Sequence, residues 1–223
     1  MKLLALDTAT EACSAALLDD GKVAERYEVI GRGHAERLLP MADALLTEAG
    51  IALGELDAIA FGRGPGGFTG LRIAAGVAQG LAAGARLPVV PISNLATVAA
   101  ASARASGAES IIACLDARMG EVYWAAYAWR DGALTALTEE RLSKPDGVAP
   151  PGPGPSRGAG HGFGACPALA ERLGDRLAGV DAGLLPRAAD IARLAAVEVA
   201  AGRTVPAARA LPVYLRDEVV HRR

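Results

Sequence analysis

A glycine-dense turn set between a short apolar strand and a long apolar helix constrains this chain more than any other feature. The turn is RGPGGFTGLR, Arg63 to Arg72. It follows the apolar run Ala58 to Phe61 and leads into the apolar segment Ile73 to Ala85. Such a loop exposes backbone N–H groups to an anion or to a partner surface. Gly64, Gly66 and Gly67 permit a backbone path denied to larger residues, and Thr69 is placed to cap the helix that follows. Arg63 and Arg72 add positive charge. No Walker-type lysine and hydroxyl follow the glycines. That favours close strand–helix packing with a flat, partner-facing loop over a phosphate nest, with Phe68 anchoring the loop in an apolar pocket.

The remaining pattern is α/β. Leu3 to Leu6 reads as a buried strand ending at Asp7, Ser14 to Leu18 as a second strand and Lys22 to Val29 as a third. Asp19, Asp20 and Gly21 make the hairpin turn between the last two. The segment Ala35 to Ala49 has helical spacing, with Leu38, Met41, Ala42, Leu45 and Ala49 three and four apart, and Gly50 stops it. Leu39 and Leu46 widen its apolar stripe enough for a core and a second surface. Pro88 and Pro91 bracket a further strand, and Ser93 or Asn94 is placed to cap a helix over Leu95 to Ala105. Three strands precede the first helix, unlike a simple dinucleotide-binding fold.

A second unit repeats the opening of the first. Ile111 to Leu115 is a strand ending at Asp116. After the turn ARMG comes the strand Glu121 to Trp129, then Asp131 and Gly132. The repeated layout predicts two related lobes, 1–108 and 109–223, with the final segment packing back on the first. Pro145 to Pro155 reads as a mobile insertion or a loose connection. GAGHGFG, Gly158 to Gly164, is a second glycine loop. Helices are expected over Pro167 to Leu177 and Ala188 to Ala201. The tail LPVYLRD, Leu211 to Asp217, reads as ordered, and the closing VVHRR as frayed.

Bulk properties exclude several classes. The formal net charge of −2 over 223 residues argues against a global electrostatic nucleic-acid binder. Aromatics are only 4%, so the core must be largely aliphatic. Cys13, Cys114 and Cys166 have no metal-ligand spacing and suit a reducing compartment as buried thiols. No stretch reads as a transmembrane span or a signal peptide, which leads to the expectation of a cytoplasmic protein without membrane contact.

Five segments together resemble the TsaB family, also called YeaZ. They are LALDTAT (Leu4 to Thr10), HAERLLP (His34 to Pro40), AFGRGPGGFTGLR (Ala60 to Arg72), DARMGEVYW (Asp116 to Trp124) and PVYLRD (Pro212 to Asp217). The resemblance implies a two-lobed actin/Hsp70/sugar-kinase-like (ribonuclease H-like) α/β fold. It implies a part in making N6-threonylcarbamoyladenosine at position 37 of tRNA, as scaffold and activator of a TsaD-like transferase rather than as a catalyst. It further implies a TsaE-like ATPase joining the assembly, a homodimer when the chain is alone, and tRNA reached through the complex. ATP or ADP and a divalent metal are expected with the partner subunits and none with the isolated chain.

Individual residues carry their own readings beside that resemblance. A metal pair on a helix needs ligands three or four apart, and the fourth residue after His34 is Leu38. His34 is a helix-start or surface residue, or a partner contact. Asp7, Thr8 and Thr10 stand where actin-like ATPases hold phosphate and cation, but Ala9 replaces the expected glycine. Asp116 and Arg118 are the counterparts in the second half, in a turn that reads as an ion pair of Arg118 with Glu121 or as an anion contact. These five form a degenerate or interface nucleotide site. The GAGHGFG loop reads as a remnant adenosine loop, with Gly160 and Gly162 leaving room for a flat ring. Leu38, Met41, Ala42 and Leu45, with His34, Arg63, Phe68 and Arg72, are the expected partner interface. No Ser–His–Asp or Cys–His order supports a protease. The alternative class is a small ATP-binding kinase or phosphotransferase.

Overall fold

The computed structural model describes residues Met1–Arg216. Asp217, the closing VVHRR and His221 lie outside the described residues.

The chain folds as two units, Met1–Thr97 with Pro186–Pro212, and Val98–Leu185 with residues 213–216. This differs from a division after residue 108. The boundary falls inside a helix, and 186–212 returns to the first unit. A regular helix carries no composition change at such a boundary, so the sequence has no mark there.

In the first unit β1 (Lys2–Asp7), β2 (Ala12–Asp19) and β3 (Lys22–Val29) form an antiparallel meander. Next come α1 (His34–Ala49), β4 (Ala58–Gly64), α2 (Phe68–Ala85) and β5 (Val89–Ser93). The sheet order is β3-β2-β1-β4-β5, with β4 parallel to β1 and β5 parallel to β4. Side chains alternate across a strand. Leu4 and Leu6 therefore face a core with Leu38, Leu45 and Ala78 of α1 and α2. Leu3 and Ala5 face a second core with Ala188, Ile191 and Ala195. Two covered faces explain why β1 reads as a continuous apolar run.

The boundary helix is α3 (Asn94–Ser106), and Ser93 Oγ accepts from the Ala96 N–H at 3.1 Å near its start. The second unit holds β6 (Ser110–Asp116), β7 (Val122–Arg130), β8 (Ala133–Ala136), β9 (Arg141–Ser143) and β10 (Ser156–Ala159). Then follow α4 (Gly162–Ala165), α5 (Pro167–Leu173) and β11 (Leu177–Asp181). Its sheet runs β11-β10-β6-β7-β8, with β9 also on β7. Read from β8, this is the order of the first sheet: a meander, then two parallel strands. The repeat suggested by Asp7 and Asp116 is thus a repeat of topology.

The second unit differs from its sequence reading in three places. The helix expected over Pro167 to Leu177 ends at Leu173, because Gly174 turns with φ 48° and Leu177 opens β11. Strands β8 to β11 are short, and length is what lets a strand show its period. The proline- and glycine-rich segment is tied down rather than loose. Arg172 Nη2 donates to the carbonyls of Pro145 at 2.9 Å and Val148 at 2.5 Å, and Arg176 Nη2 donates to the carbonyl of Gly152.

The last helix, α6 (Ala188–Ala200), belongs to the first unit. Its first N–H groups are satisfied by side chains of the meander. Ala188 N–H donates to Ser14 Oγ at 2.9 Å, and Ala189 N–H donates to Glu25 Oε1 at 3.0 Å. Arg187 pairs with Glu25 at 2.5 Å and lies 4.3 Å from the Tyr27 ring centroid. Helix starts need such acceptors.

Leu38 is fully buried, whereas its neighbour Leu39 is 47% exposed. Leu38→Ala should therefore cost about 2–5 kcal/mol of unfolding free energy, and Leu39→Ala less than about 0.5 kcal/mol. Urea unfolding followed by circular dichroism measures both.

Candidate functional site

The end of β1 and the glycine loop form one closed packing unit. Asp7 and Thr8 are buried, at 0% and 1% exposure. Asp7 Oδ1 accepts from the Ala9 N–H at 3.0 Å, and Oδ2 accepts from Asn94 Nδ2. Asn94 Oδ1 in turn accepts from the Gly64 N–H at 2.7 Å. Thr8 Oγ1 donates to the Gly70 carbonyl at 2.7 Å, and the Gly67 N–H donates to the Ala9 carbonyl at 2.7 Å. A Cβ on Gly70 would sit 1.9 Å from the Thr8 carbonyl oxygen, and one on Gly62 would sit 2.0 Å from Asp7 Oδ2. The glycines admit the protein's own β1 turn, not a phosphate. Thr69 does not cap α2: Gly67 is the cap residue and no side chain bonds there.

The residues expected at a degenerate nucleotide site in the first unit have partners within the chain. Asp7 and Thr8 are enclosed, and each of their polar side-chain atoms is bonded within the fold. Thr10 Oγ1 accepts from the Ala12 N–H at 3.2 Å, and its carbonyl meets His34 Nε2 at 3.0 Å. His34 therefore ties the start of α1 to the β1 turn. Three of the segments that carried the resemblance, LALDTAT, HAERLLP and the glycine loop, converge here.

The expected interface is also redrawn. Leu38, Met41, Ala42 and Leu45 are 0–6% exposed and pack in the core against β1, β2 and β4. The spacing was right for a helix, but a periodic stripe does not say which side of it meets water. Phe68 is not anchored in an apolar pocket: it is 37% exposed, with the Arg72 guanidinium 3.7 Å from its ring centroid. Arg63 is half-buried at the end of β4. On α2, Cβ positions at Gly76, Gly80 and Gly84 would meet no atom within 4 Å. Their four-residue spacing sets them on one helix face, which the sequence reading passed over.

In the second unit Asp116 and Arg118 do come together. Asp116 Oδ1 accepts from the Arg118 N–H at 2.8 Å, and Oδ2 pairs with Arg118 Nη1 at 3.1 Å. Arg118 thus pairs with Asp116 rather than with Glu121, which pairs with Arg216 at 2.7 Å. Arg216 Nη2 also donates to the Ala117 carbonyl at 3.1 Å. DARMGEVYW and Arg216 of the tail, distant in sequence, meet at this turn. Gly160 and Gly162 of the GAGHGFG loop pack directly against the end of β6. Cβ atoms there would lie 2.2 Å from the Cys114 carbonyl oxygen and 2.6 Å from Cys114 Sγ.

Burial governs the titration of these groups. Desolvation raises Asp7 to about 6, against the lowering effect of its hydrogen bonds from Ala9 and Asn94. Burial likewise pushes the Cys13 thiol up to about 11, and the Cys114 and Cys166 thiols upward. None of the three thiols is poised as a thiolate nucleophile.

Two related sheets, each with an aspartate at the end of its first strand, define an α/β protein of the actin/ribonuclease H-like class. The family model described as "TsaD: tRNA N6-adenosine threonylcarbamoyltransferase" matches residues 27–208. The chain is 44% identical to the tRNA threonylcarbamoyladenosine biosynthesis protein TsaB of Escherichia coli, over 98% of this chain and 96% of that protein. It is 40% identical to TsaB of Haemophilus influenzae, over 98% of this chain and 95% of that protein. The solved structure of YeaZ from Pseudomonas aeruginosa superposes with a TM-score of 0.90 at 51% identity, covering 96% of this chain and 99% of that one. A second solved structure, titled as an uncharacterized protein with similarity to peptidase YeaZ from the same organism, gives 0.91 at 50% identity, with the same coverage. The chain belongs to the TsaB, or YeaZ, family.

Asp7 generates a pH signature. Its carboxyl binds a proton more tightly in the folded chain than in the unfolded one. Its contribution is therefore fully present below the unfolded value, near pH 4, and is lost as pH rises through about 6. The loss is about 3 kcal/mol, taken from the two-unit rise. The wild type should lose stability across that window relative to Asp7→Asn, measured as urea midpoints at several pH values. Gly70→Ala should lower the melting temperature at every pH, since the clash is with backbone.

Proposed function

We propose that this chain is a non-catalytic partner and activator of a TsaD-like transferase in the formation of N6-threonylcarbamoyladenosine at position 37 of tRNA. The observation that carries the reading is the sealed β1 turn. A carboxylate meant to orient a cation or a phosphate must reach it, and both Asp7 oxygens face Ala9 and Asn94 in a fully buried site. The names of the relatives support the pathway, and the sealed turn supports the division of labour. The kinase-like alternative loses its main residue by the same geometry. The word peptidase in one neighbour's title finds no support in the cysteines, whose thiols burial keeps protonated.

The partner surface in this proposal is the outward side of α1 and α2. Leu39 is 47% exposed and Phe68 37%. Gly76, Gly80 and Gly84 let a partner helix approach the α2 backbone closely, as small residues do where helices pack tightly. Arg72 on Phe68 and Arg63 supply polar contacts at the N-terminal end of α2. A glycine inside an exposed helix destabilises it relative to alanine, so three of them call for a reason outside the free chain. The same face would serve a homodimer when the chain is alone and would compete with the transferase. Nucleotide and metal belong to the transferase and to a TsaE-like ATPase, and tRNA is reached through the complex. Among the described residues no helix is long and apolar enough to cross a membrane. A cytoplasmic place is part of the proposal.

Gly80→Ala should raise the stability of the isolated chain by about 0.5–1 kcal/mol while weakening its complex with the transferase. Leu39→Glu should leave the fold intact and abolish assembly. Light scattering of the mixed proteins reads assembly. Transfer of the threonylcarbamoyl group from its adenylate to tRNA, with the ATPase present, reads activation. A transferase fully active without this chain would overturn the proposal.

A further inference from the structure

Four groups in a row join the glycine loop to the end of β1: the Gly64 N–H, the Asn94 amide, the Asp7 carboxyl and the Ala9 N–H. The two outer groups are backbone N–H groups, which can only donate. They fix the direction of everything between them. Asn94 must turn its oxygen to Gly64, so its NH2 faces Asp7, and both Asp7 oxygens must accept. Every donor in the row is thus directed toward Asp7. Asp7 and Asn94 are both fully buried, so a group facing the wrong way there costs its desolvation penalty.

The row has no place for a proton on Asp7. At Oδ1 the proton would meet the Ala9 N–H, and at Oδ2 the Asn94 NH2. Turning the Asn94 amide gives the proton an acceptor. It also aims the NH2 at the Gly64 N–H, donor against donor. Gly64 closes β4 with φ 112° and follows Arg63, one of the polar contacts of the proposed partner face.

We infer that the Asp7–Asn94 pair is a proton-operated latch on the glycine loop. With Asp7 ionised, Asn94 holds the Gly64 N–H. A proton taken from solvent onto Asp7 turns the Asn94 amide and releases Gly64, and Arg63 moves with it. Two other ties of the loop do not involve Asp7: the Gly67 N–H on the Ala9 carbonyl, and Thr8 on the Gly70 carbonyl. They confine the change to the Gly64 end. Release is not unfolding. The fold gains when the buried charge is removed, so stability rises as this end of the loop loosens. The effect on assembly, through Arg63, rests on the proposed function. The latch itself does not.

The other titratable groups around Asp7 come from three elements. β2 brings Cys13 and β3 brings Tyr27. Burial raises both, so both stay protonated at neutral and acidic pH. Glu28 and Arg37 act on Cys13, and Arg187, Glu11 and Glu25 act on Tyr27. β4 and α3 meet Asp7 with Gly62 and Asn94. α1 brings His34 against the Thr10 carbonyl, and imidazole is the side chain that ordinarily titrates between acid and neutral pH. His34→Gln is therefore part of the test.

The first readout is the Gly64 amide of the isolated, isotope-labelled chain by NMR. As pH falls through about 6, its resonance should move. Its hydrogen exchange, corrected for the intrinsic rate, should rise roughly tenfold. His34→Gln should keep that response. Asp7→Asn alone should leave the Gly64 or the Ala9 amide unprotected at every pH, because an amide at position 7 offers an acceptor to only one of its two donors. Asp7→Asn combined with Asn94→Asp should restore protection at neutral pH. The carboxylate then stands at position 94, accepting from Gly64 and from the amide at position 7, whose oxygen accepts from Ala9. The second readout is affinity for the purified TsaD-like transferase. The ratio of wild-type to Asp7→Asn affinity should fall roughly tenfold through the same pH range. A Gly64 amide that stays unchanged while the Asp7 carboxyl titrates overturns the latch, and so does a response lost in His34→Gln. A Gly64 amide that responds while the affinity ratio stays constant overturns the effect on assembly. A wild type that never binds the transferase overturns the proposed function instead, and the Gly64 amide still decides the latch.

Discussion

The backbone contact between the end of β1 and the glycine loop organises the first unit. Gly70 and Gly62 allow the β4–α2 connection to lie directly on the β1 turn, within distances that any side chain would forbid. Once they touch, Asp7 loses water, and the peptide N–H of Ala9 and the Asn94 amide replace it. Asn94 is also the first residue of α3 and bonds the Gly64 N–H, so one side chain links β1, β4 and the boundary helix. A fully satisfied buried polar network of this kind specifies a single arrangement more than it adds net stability.

The second unit uses the same topology and ends its first strand differently. Asp116 is 13% exposed, where Asp7 is fully buried. Its carboxylate is met by the following arginine and that arginine's own N–H. The two halves thus keep an aspartate at the same topological point and give it different work. One is an internal strut. The other stabilises an exposed, strained turn that a distant arginine braces.

Much of the layout was legible from residue order. The meander, α1, the strand–loop–helix at β4 and α2, and the β6–β7 hairpin all carry period or turn signals over many residues. Strands β8, β10 and β11 have four or five residues each and β9 three, too few to show a period. The arginines that hold the proline-rich segment act through carbonyls, which leave no trace in sequence. Met119 and Arg216 went unremarked because their pairing spans 97 residues.

Residue order alone settled which segments matter. DTAT, the glycine loop, HAERLLP, DARMGE and YLR are recognisable without coordinates, because their chemistry is local and their order is distinctive. Folding settled which way each one faces. Leu38, Met41, Ala42 and Leu45 went to the core and Leu39 to the surface, although all five lie on one apolar helix. The reason is that helical spacing fixes angles about an axis, while the sheet and the neighbouring helix choose the side that is covered. Burial likewise turned Asp7 from a candidate ligand contact into a structural carboxyl, since desolvation depends on what packs around a group and not on its neighbours in the chain.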